Sequence, residues 1–397
     1  MIAPRARVVV IGAGLVGSAV AFALSRAGFR VVVVDRGGAA GGTSGACMGH
    51  LMMLSDPPEM YHATRRSVEL WKRLQHDAGG FDLLASGCLW VGEVAEDMPL
   101  LEKLAEVVHG FGDEGTLWDG AELHRREPGL AADLAGAFHY PHDAVLFPMH
   151  GVGALLRGAV AAGAELRMAT EVVGLELGPD GAVQGVQIRG GVLPAEAVVN
   201  AAGVWVPRLM RSRCGASLPD VPIFPRRGDL AITMPQHLPM RHQILEVGYL
   251  RTATGKAVDP QDPEPDPGAM ACNVQPQGNR TLLIGSTRQF AGFDTSVNRR
   301  LLAAMLHRAA RFVPSVGALQ VVRTWAGLRP YTRDKRPIVG PVSGVPGLYL
   351  AGGHEGLGVT LSLVTGEILA AQLGGGTPHA FAAAFSPERF HEVGRAP

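Results

Sequence analysis

A glycine pattern between two short apolar runs near the N-terminus most constrains the fold of this chain. Arg7 to Ile11 is a continuous β-branched run, which is typical of a parallel strand buried on both faces. Gly12 to Gly17 follows at once with the spacing GxGxxG, Ser18 to Ala27 has the composition of a helix, and Arg30 to Val34 is a second apolar run. A strand, this turn, a helix and a strand together predict a dinucleotide-binding βαβ unit.

Each glycine of the turn has a predicted role. Gly12 permits the tight turn, Gly14 lets the backbone approach a pyrophosphate, and Gly17 lets the helix pack close to the strand. The start of the helix offers N–H groups and a partial positive charge to the phosphates. Asp35, at the tip of the second strand, is predicted to bind ribose hydroxyls. The alternative is an ordinary βαβ unit without a ligand.

The motif does not separate FAD from NAD. Asp35 disfavours NADP, because a carboxylate repels a 2′-phosphate, although the neighbouring Arg36 complicates that argument. The loop from Gly41 to His50 is rich in small residues and predicts a second approach of backbone to a long cofactor, with Thr43 or Ser44 capping a helix. His50 at its end is either a structural or a catalytic histidine.

Composition excludes several classes of protein. The 397 residues include 36 Lys+Arg and 36 Asp+Glu, so the formal charge is zero and electrostatic capture of nucleic acid or an acidic membrane is not expected. A hydrophobic content of 47% excludes a mainly disordered chain. The length predicts two or three domain-sized units. No Gly-x-Ser-x-Gly sequence occurs, so a hydrolase nucleophile is not indicated.

Neither the cysteines nor the histidines predict a metal site. The four cysteines are far apart and include no CxxC pair, which argues against a zinc ribbon, thioredoxin-like chemistry and a disulfide scaffold. A histidine-rich segment fits no zinc signature, and its prolines favour a solvent-exposed loop without metal. The residues concerned are Cys47, Cys88, Cys214 and Cys272, and His139, His142, Asp143 and His150.

An uncharged stretch from Val8 to Leu24 follows two arginines and could mimic a secretory signal. Its glycines instead fall where a nucleotide-binding turn needs them, and a second strand follows soon afterwards. We therefore expect a cytoplasmic protein.

Periodicity predicts the elements of the middle of the chain. Asp259 to Gly268 carries four prolines and is predicted to be a solvent-facing loop. Helices are expected at 59–76, 98–109, 152–162 and 297–312, and strands at 83–91, 171–177, 183–189, 192–199 and 282–286. The stretch from Val198 to Trp205 predicts a strand that runs into Gly203 and a new helix, where backbone again meets cofactor.

The C-terminal part repeats the strand, glycine turn and helix pattern. Gly347 to Gly352 predicts a strand, and a glycine-rich turn leads into a helix that ends near Gln372. The start of this helix is expected either to bind phosphate, as the first glycine turn does, or to face a flavin ring where negative charge develops on reduction.

These segments resemble the FAD-dependent D-amino acid oxidase family, which includes glycine and sarcosine oxidases. Within that family the chain is most similar to flavoprotein subunits of the D-hydroxyproline dehydrogenase and opine oxidase types. The segments that carry the resemblance occur in family order: 8–35, 42–45, 199–203, 225–228, 285–288, 327–330 and 353–356.

The resemblance implies an α/β fold in two domains. A Rossmann-type FAD-binding domain is expected at 1–85, 145–215 and 322–397, and an antiparallel-sheet α+β substrate domain at 86–144 and 216–321. It also implies that Arg329 binds a substrate carboxylate, for which a planar guanidinium is well suited. The alternative is a structural arginine.

The chain departs from its relatives at two points. Glycine oxidases carry an arginine soon after the histidine of the last motif, where this chain has Glu355, Gly356 and Leu357. Glu355 is expected to bind a substrate ammonium or hydroxyl, or to be solvated. Cys272 lies in no motif of the kind that tethers flavin in sarcosine oxidases, so noncovalent FAD is expected.

The predicted reaction is oxidation of the C–N bond of a D-amino or cyclic imino acid, such as D-proline or D-hydroxyproline, by hydride transfer from Cα to flavin N5. The alternatives are a glycine, sarcosine or opine oxidase, an NAD-dependent dehydrogenase, and a flavoprotein subunit that passes electrons to oxygen, a quinone or a partner protein in a hetero-oligomer.

The predicted catalytic residues are Arg329, His354, Glu355 and His50. The predicted cofactor-binding residues are Gly12, Gly14, Leu15, Val16, Gly17, Asp35, Arg36, Thr43, Ser44, Gly45, Val172, Ala202, Gly203, Trp205, Gly353, Gly356, Leu357, Gly358, Val359 and Thr360.

Overall fold

The chain divides into two compact units, each assembled from separate segments. The computed structural model describes residues 5–53, 58–211, 218, 220–236, 239–248 and 270–390. The first unit comprises 1–82, 146–225 and 329–397, and the second comprises 83–145 and 226–328. These boundaries differ by one to ten residues from the predicted domain boundaries. Assignment of the units to FAD and to substrate stays a prediction.

The first unit contains a six-stranded sheet with five parallel strands. Val8 to Val10 and Val31 to Val34 are buried, as expected for strands covered on both faces. The sequence therefore predicted the first two strands within this sheet correctly. Across the sheet the strands are β19 (Ile338–Pro341, antiparallel), β20 (Leu348–Gly352), β13 (Ala197–Asn200), β1 (Arg7–Ile11), β2 (Arg30–Val34) and β9 (Glu165–Arg167).

Two helices that follow strands of this sheet pack closely on each other. Helix α1 (Leu15–Arg26) follows β1, and helix α8 (Gly358–Gly374) follows β20. A Cβ atom on Gly366 of α8 would lie 2.7 Å from the carbonyl oxygen of Ala19 in α1, so a side chain at position 366 would push the helices apart. Within the described residues, Glu355–Gly374 is the one segment long and apolar enough to cross a membrane. It is mostly buried in the unit, as in a core helix.

The remaining elements of the first unit flank this sheet. Strands β10 (Val172–Leu177), β11 (Val183–Ile188) and β12 (Gly191–Pro194) form an antiparallel sheet. The predicted strand at 192–199 is in fact two strands, because Pro194 has no N–H with which to continue the ladder. The other elements are β3 (His50–Leu51), α2 (Pro58–Ala78), α5 (Pro148–Ala161), α6 (Val206–Met210) and α9 (Ala382–Phe385).

The second unit is built on a largely antiparallel eight-stranded sheet. Helix α7 (Arg299–Phe312) covers one face, where Met305 and Phe312 are fully buried in a core with Val274 and Ile284. Across the sheet the strands are β18 (Val321–Tyr331), β14 (Phe224–Thr233), β17 (Leu282–Thr287), β16 (Met270–Pro276), β15 (Gln243–Glu246), β5 (Cys88–Gly92), β7 (Gly136–Tyr140) and β6 (Thr116–Asp119). The other elements are β4 (Leu83–Leu84), α3 (Met98–Gly110), α4 (Gly120–Arg126) and β8 (Ala144–Leu146), which ends in the first unit.

Two further sequence-based interpretations of secondary structure need correction. The predicted strand at 83–91 is interrupted, because Gly87 has a φ of +70° that an extended strand does not allow. The histidine-rich segment is not a solvent-exposed loop, since His139 lies in β7, Asp143 is fully buried and His150 lies in α5. No cluster that could hold a metal occurs within the described residues. Cys214 and the predicted loop at 259–268 lie outside the described residues.

Candidate active site

The turn between β1 and α1 requires glycine at two positions and packs tightly against Ser44 at a third. Gly12 has a φ of +106°, and a Cβ there would lie 2.6 Å from the Ala201 carbonyl oxygen. A Cβ on Gly17 would lie 1.9 Å from the carbonyl oxygen of Gly12, which is steric overlap. A Cβ on Gly14 would meet only the Ser44 side chain, at 3.0 Å. Gly12 and Gly17 therefore shape the turn, and Gly14 keeps its backbone accessible to a phosphate.

The start of α1 is capped by a residue from a different segment. Ser44 Oγ accepts a hydrogen bond from the Leu15 N–H at 2.9 Å. Ser44 lies in the short 3₁₀ turn Thr43–Ala46, which has no side-chain cap of its own, so the prediction that Thr43 or Ser44 caps a following helix was wrong. The other N–H groups of the first turn, including that of Val16, have no partner within the helix and carry the positive end of its dipole. They suit a pyrophosphate.

The Asp35 carboxylate is held by two backbone groups. Its Oδ2 accepts from the Ala13 N–H at 2.9 Å, and its Oδ1 accepts from the Gly37 N–H at 2.8 Å. Each oxygen retains a lone pair with which a ribose hydroxyl could bond. The carbonyl oxygen of Asp35 accepts from the Thr170 N–H at 2.7 Å, which brings the start of β10 at Val172 to the same region.

Arg36 and Trp205 form a contact next to Asp35. The guanidinium carbon of Arg36 lies 4.2 Å from the Trp205 ring centroid, a cation–π distance, and that of Arg208 lies 5.6 Å away. Trp205 ends a turn in which Gly203 has a φ of +57°. The side chain of Asn200 organises this turn, because its oxygen accepts from the Ala202 N–H at 3.3 Å. Arg36 is therefore held against an aromatic ring beside the Asp35 carboxylate.

The second glycine turn leads from β20 to α8. Gly353 has a φ of +71°, and a Cβ there would lie 2.6 Å from Thr332 Cγ2. Glu355 also has a positive φ, +45°, and its carboxylate accepts a hydrogen bond from the Gly356 N–H. A Cβ on Gly356 would meet no atom within 4 Å. Open space therefore adjoins Gly356, and the Glu355 carboxylate is directed to the backbone at the start of the helix. Leu357 ends the intervening 3₁₀ turn, and Gly358 and Val359 begin α8.

Thr360 uses its side chain to hold a neighbouring loop. Its hydroxyl accepts from the Met52 N–H at 3.0 Å and donates to the His50 carbonyl oxygen at 3.2 Å. The Thr360 hydroxyl therefore donates its proton within the protein, and its predicted contact with FAD stays a prediction. Position 45 has no space for a side chain, since a Cβ on Gly45 would lie 2.5 Å from the Ala40 carbonyl oxygen.

The three turns that carry the predicted cofactor residues meet at one edge of the sheet. Strands β1, β13 and β20 are parallel neighbours, so their carboxyl ends lie side by side. Helices α1 and α8 cross at Ala19 and Gly366, which are four and eight residues from the helix starts. At 1.5 Å per residue, the starts lie about 6 and 12 Å along each axis from the crossing. The donors and the open backbone at this edge fit a dinucleotide.

Both predicted histidines are buried. Burial lowers the pKa of His50 to about 4 and that of His354 to about 3, so both rings are neutral near pH 7. His354 Nε2 lies 2.9 Å from Thr365 Oγ1, and this hydroxyl donates to the Leu361 carbonyl oxygen at 2.8 Å. His354 Nε2 is therefore the donor in its pair with Thr365. This contact fixes the turn that contains His354 against α8, and the predicted catalytic role of His354 stays a prediction.

Arg329 lies near the loop that contains Ser44 and His50. It is half-buried on β18, in the part of that strand that belongs to the first unit. Its charge acts on Cys47, whose thiol pKa burial raises to about 11 and Arg329 partly lowers. The sequence analysis did not assign Cys47 to the site, although its place in the small-residue loop between Ser44 and His50 was a usable signal. The structure thus brings Arg329 close to this loop.

Comparison with known proteins settles the family. The model of the family described as FAD dependent oxidoreductase matches residues 7–372. The chain belongs to this DAO family. Its sequence is 30% identical over 378 residues to glycine oxidase of Geobacillus kaustophilus, which covers 92% of each chain. A crystal structure of glycine oxidase from that species has a TM-score of 0.82 and 27% identity, and the match covers 96% of this chain and 98% of that one.

Two further relatives cover almost the whole chain. Hydrogen cyanide synthase subunit HcnC of Pseudomonas aeruginosa is 28% identical over 405 residues, 91% of each protein. D-amino acid dehydrogenase of Xanthobacter autotrophicus is 26% identical over 449 residues, 98% of this chain and 100% of that protein. The predicted family, α/β fold and FAD cofactor are confirmed. The chain is an FAD-dependent oxidoreductase that acts on the C–N bond of an amino acid or amine.

Proposed function

We propose that the substrate is a D-amino or cyclic imino acid resembling D-proline or D-hydroxyproline, oxidised at the bond between Cα and nitrogen. The observation that carries this proposal is the half-buried Arg329 beside the loop with Cys47, combined with the sequence Glu355-Gly356-Leu357 where glycine oxidases carry an arginine. The relative named D-amino acid dehydrogenase supports the substrate class.

Arg329 is the proposed anchor for the substrate carboxylate. A guanidinium offers two parallel N–H donors to a carboxylate, and partial burial strengthens this charge-assisted pair. Such hydrogen bonds contribute about 1.5–3 kcal/mol each. Anchoring one end of the substrate fixes the direction of its Cα–H bond, which lowers the entropic cost of reaching the reactive geometry.

The histidines are not proposed as proton acceptors. With pKa values lowered by burial to about 4 and about 3, His50 and His354 are weak bases at neutral pH. FAD, when bound, supplies the hydride-accepting chemistry. The protein contributes the turn that His354 fixes and the guanidinium of Arg329. A substrate that enters with a neutral nitrogen needs no further base, and we propose that Glu355 assists by attracting the substrate nitrogen.

A glycine-type substrate is the second candidate, because glycine oxidase is the 30% identical relative. We also propose that the chain works in the cytoplasm and that a partner protein in a hetero-oligomer takes up the electrons. The relative named as a subunit of hydrogen cyanide synthase supports this arrangement. Oxygen or a quinone is the alternative acceptor.

Anaerobic reduction of the bound flavin tests the substrate. The holoenzyme is mixed with D-proline, D-hydroxyproline, D-alanine, glycine, sarcosine or an opine, and flavin absorbance is followed, with L-proline as the enantiomer control. The expected result is bleaching by D-proline or D-hydroxyproline at least about tenfold faster than by glycine, a difference of about 1.4 kcal/mol in the barrier. Fastest bleaching by glycine or sarcosine would replace the proposed substrate with the second candidate.

A further inference from the structure

A second concave site lies wholly within the second unit and includes none of the residues assigned above. Its cavity has a volume of about 370 Å³. Strands β6 and β7 pair in antiparallel register, with Thr116 opposite His139, and α4 follows β6 directly. This local fold gathers the lining residues Trp118, Arg125, Arg126, His139, Arg241 and His242.

One wall of the cavity consists of aromatic rings. The rings of Trp118 and His139 are stacked, with centroids 4.8 Å apart and planes 20° apart. The His242 ring meets that of His139 edge-on at 4.9 Å. The Arg126 guanidinium carbon lies 4.8 Å from the Trp118 ring centroid, a cation–π distance. Stacking holds these side chains in fixed positions, so the wall is preorganised.

A buried carboxylate orients the base of the cavity. Glu127 is fully buried, and its two oxygens interact with His242 Nδ1 and with the Arg241 N–H, the latter at 3.1 Å. The carboxylate makes Nδ1 of His242 the donor, which leaves Nε2 of the neutral ring as an acceptor. Glu127 thus fixes the backbone of Arg241 and the ring of His242 together.

The cavity has an excess of positive charge. Arg125 and Arg126 share one carboxylate, Glu122, which they hold at a pKa below its usual value. Arg241 makes no ion pair within the residues that the structure describes. Burial, His242 and Arg126 lower the pKa of His139 to about 4. In the part of the chain that the structure describes, the cavity therefore has three guanidinium groups and only two carboxylates. One carboxylate, Glu122, is partly exposed, and the other, Glu127, is already paired with His242.

We propose that this cavity binds a small dianion through a phosphoryl group, held by Arg125, Arg126 and Arg241. A tetrahedral phosphoryl group presents oxygens in several directions, so it can accept from guanidiniums that converge from α4 and from the segment before β15. A planar carboxylate satisfies one guanidinium fork. The ligand is either free phosphate or a phosphate ester, and its phosphoryl group is the shared chemistry.

Isothermal titration of the FAD-saturated enzyme tests the proposal, with inorganic phosphate, glycerol 3-phosphate and succinate in low-salt buffer. Saturable phosphate binding with a Kd on the order of 1 mM or tighter is expected, and it should weaken as NaCl is raised. Arg241→Gln should weaken binding about tenfold, because a charge-assisted contact is lost. Arg299→Gln, which changes an exposed arginine at the start of α7, is the matched control and should leave Kd unchanged.

The named outcomes separate the possible ligands. Glycerol 3-phosphate that binds more tightly than phosphate indicates an ester, and equal or weaker binding indicates free phosphate. Both results support a phosphoryl site. Tighter binding of succinate, absence of saturation by any phosphate, or equal weakening by Arg241→Gln and Arg299→Gln would overturn the proposal. Unchanged flavin content and Tm show that each variant is folded.

Discussion

The hydroxyl of Ser44 accepts the N–H of Leu15 at 2.9 Å, across 29 positions of sequence. Helix α1 begins at Leu15, its N-cap residue Gly14 has no side chain, and the cap comes from the loop that follows β2. Because the cap comes from a distant residue, position 14 can remain glycine, without a side chain between its backbone and a cofactor, and one N–H of the first turn still has an acceptor. The same hydrogen bond also fixes the loop that contains Cys47 and His50.

Replacement of Ser44 by alanine should weaken both folding and FAD binding. Loss of a helix cap lowers the free energy of unfolding by about 1 kcal/mol. If the loop also becomes less ordered, a loss of the same size in binding free energy would weaken FAD affinity about fivefold. Denaturant unfolding of the apoprotein and FAD titration measure the two effects. Ser386→Ala is the control, because Ser386 accepts the Glu388 N–H at 3.2 Å in a surface turn. Equal FAD affinity in the two variants would refute this role of Ser44.

The Asp35→Asn variant should bind FAD about 10- to 100-fold more weakly, the range for hydrogen bonds to a charged group. The amide cannot accept from both the Ala13 and the Gly37 N–H, so the turn also loses one contact. Asp180→Asn provides a matched control, since Asp180 accepts the Ala182 N–H at 3.1 Å in an exposed turn. FAD titration of the apoproteins makes the comparison. An affinity equal to that of the control would contradict the ribose assignment.

Buried histidines should make stability fall with acid. Burial lowers the pKa of His354 to about 3 and that of His50 to about 4, from 6.5 in the unfolded chain, and burial together with His242 and Arg126 lowers that of the partly buried His139 to about 4. Between these values the unfolded state binds more protons, so the free energy of unfolding decreases as pH falls below about 6.5. Each histidine changes the free energy of unfolding by up to about 1.4 kcal/mol per pH unit.

Urea unfolding from pH 7.5 to 5 measures this dependence. His354→Asn should flatten the profile relative to the wild type, because one buried titrating ring is removed. His76→Asn, at the exposed end of α2, should leave the slope unchanged. A profile for His354→Asn that coincides with that of the wild type would show that this ring is not the group that titrates.

The flavin should be released by acid precipitation. Burial raises the thiol pKa of Cys47 to about 11 and those of Cys88 and Cys272 well above the usual value, so these side chains are thiols rather than nucleophilic thiolates. After precipitation, the absorbance of FAD is expected in the supernatant. Flavin fluorescence that stays with the denatured protein on a gel would contradict noncovalent binding.

Elements with a continuous local signal could be predicted from sequence. The β-branched run and the glycine spacing around β1, α1 and β2 each favour one structure, and the observed bounds differ by at most three residues at the helix start. Strand ends that depend on a single residue were harder to predict. Pro194 separates two strands that go to different sheets, whereas their continuous apolar pattern suggested a single strand.

Contacts between distant segments could not be predicted, because nothing local encodes them. The pairing of His354 with Thr365 depends on how α8 packs against the preceding turn, and no local pattern in the sequence indicates it. The influence of Arg329 on Cys47 joins segments almost 300 residues apart in the chain. The resemblance to a family indicated which segments carry the site residues, but not which atoms contact one another.

Reduction of the flavin by D-proline and by D-prolinamide, in the wild type and in Arg329→Ala, tests most directly whether this enzyme recognises its substrate by the carboxylate. The amide lacks the charge that Arg329 is proposed to bind. Anaerobic stopped-flow rates should favour D-proline about 100-fold in the wild type, the scale of about 3 kcal/mol for a charged hydrogen bond. In Arg329→Ala this preference should fall to within about threefold, as a double-mutant cycle requires for interacting groups. An undiminished preference for D-proline in Arg329→Ala, or a wild-type flavin that neither compound reduces, would contradict the proposal.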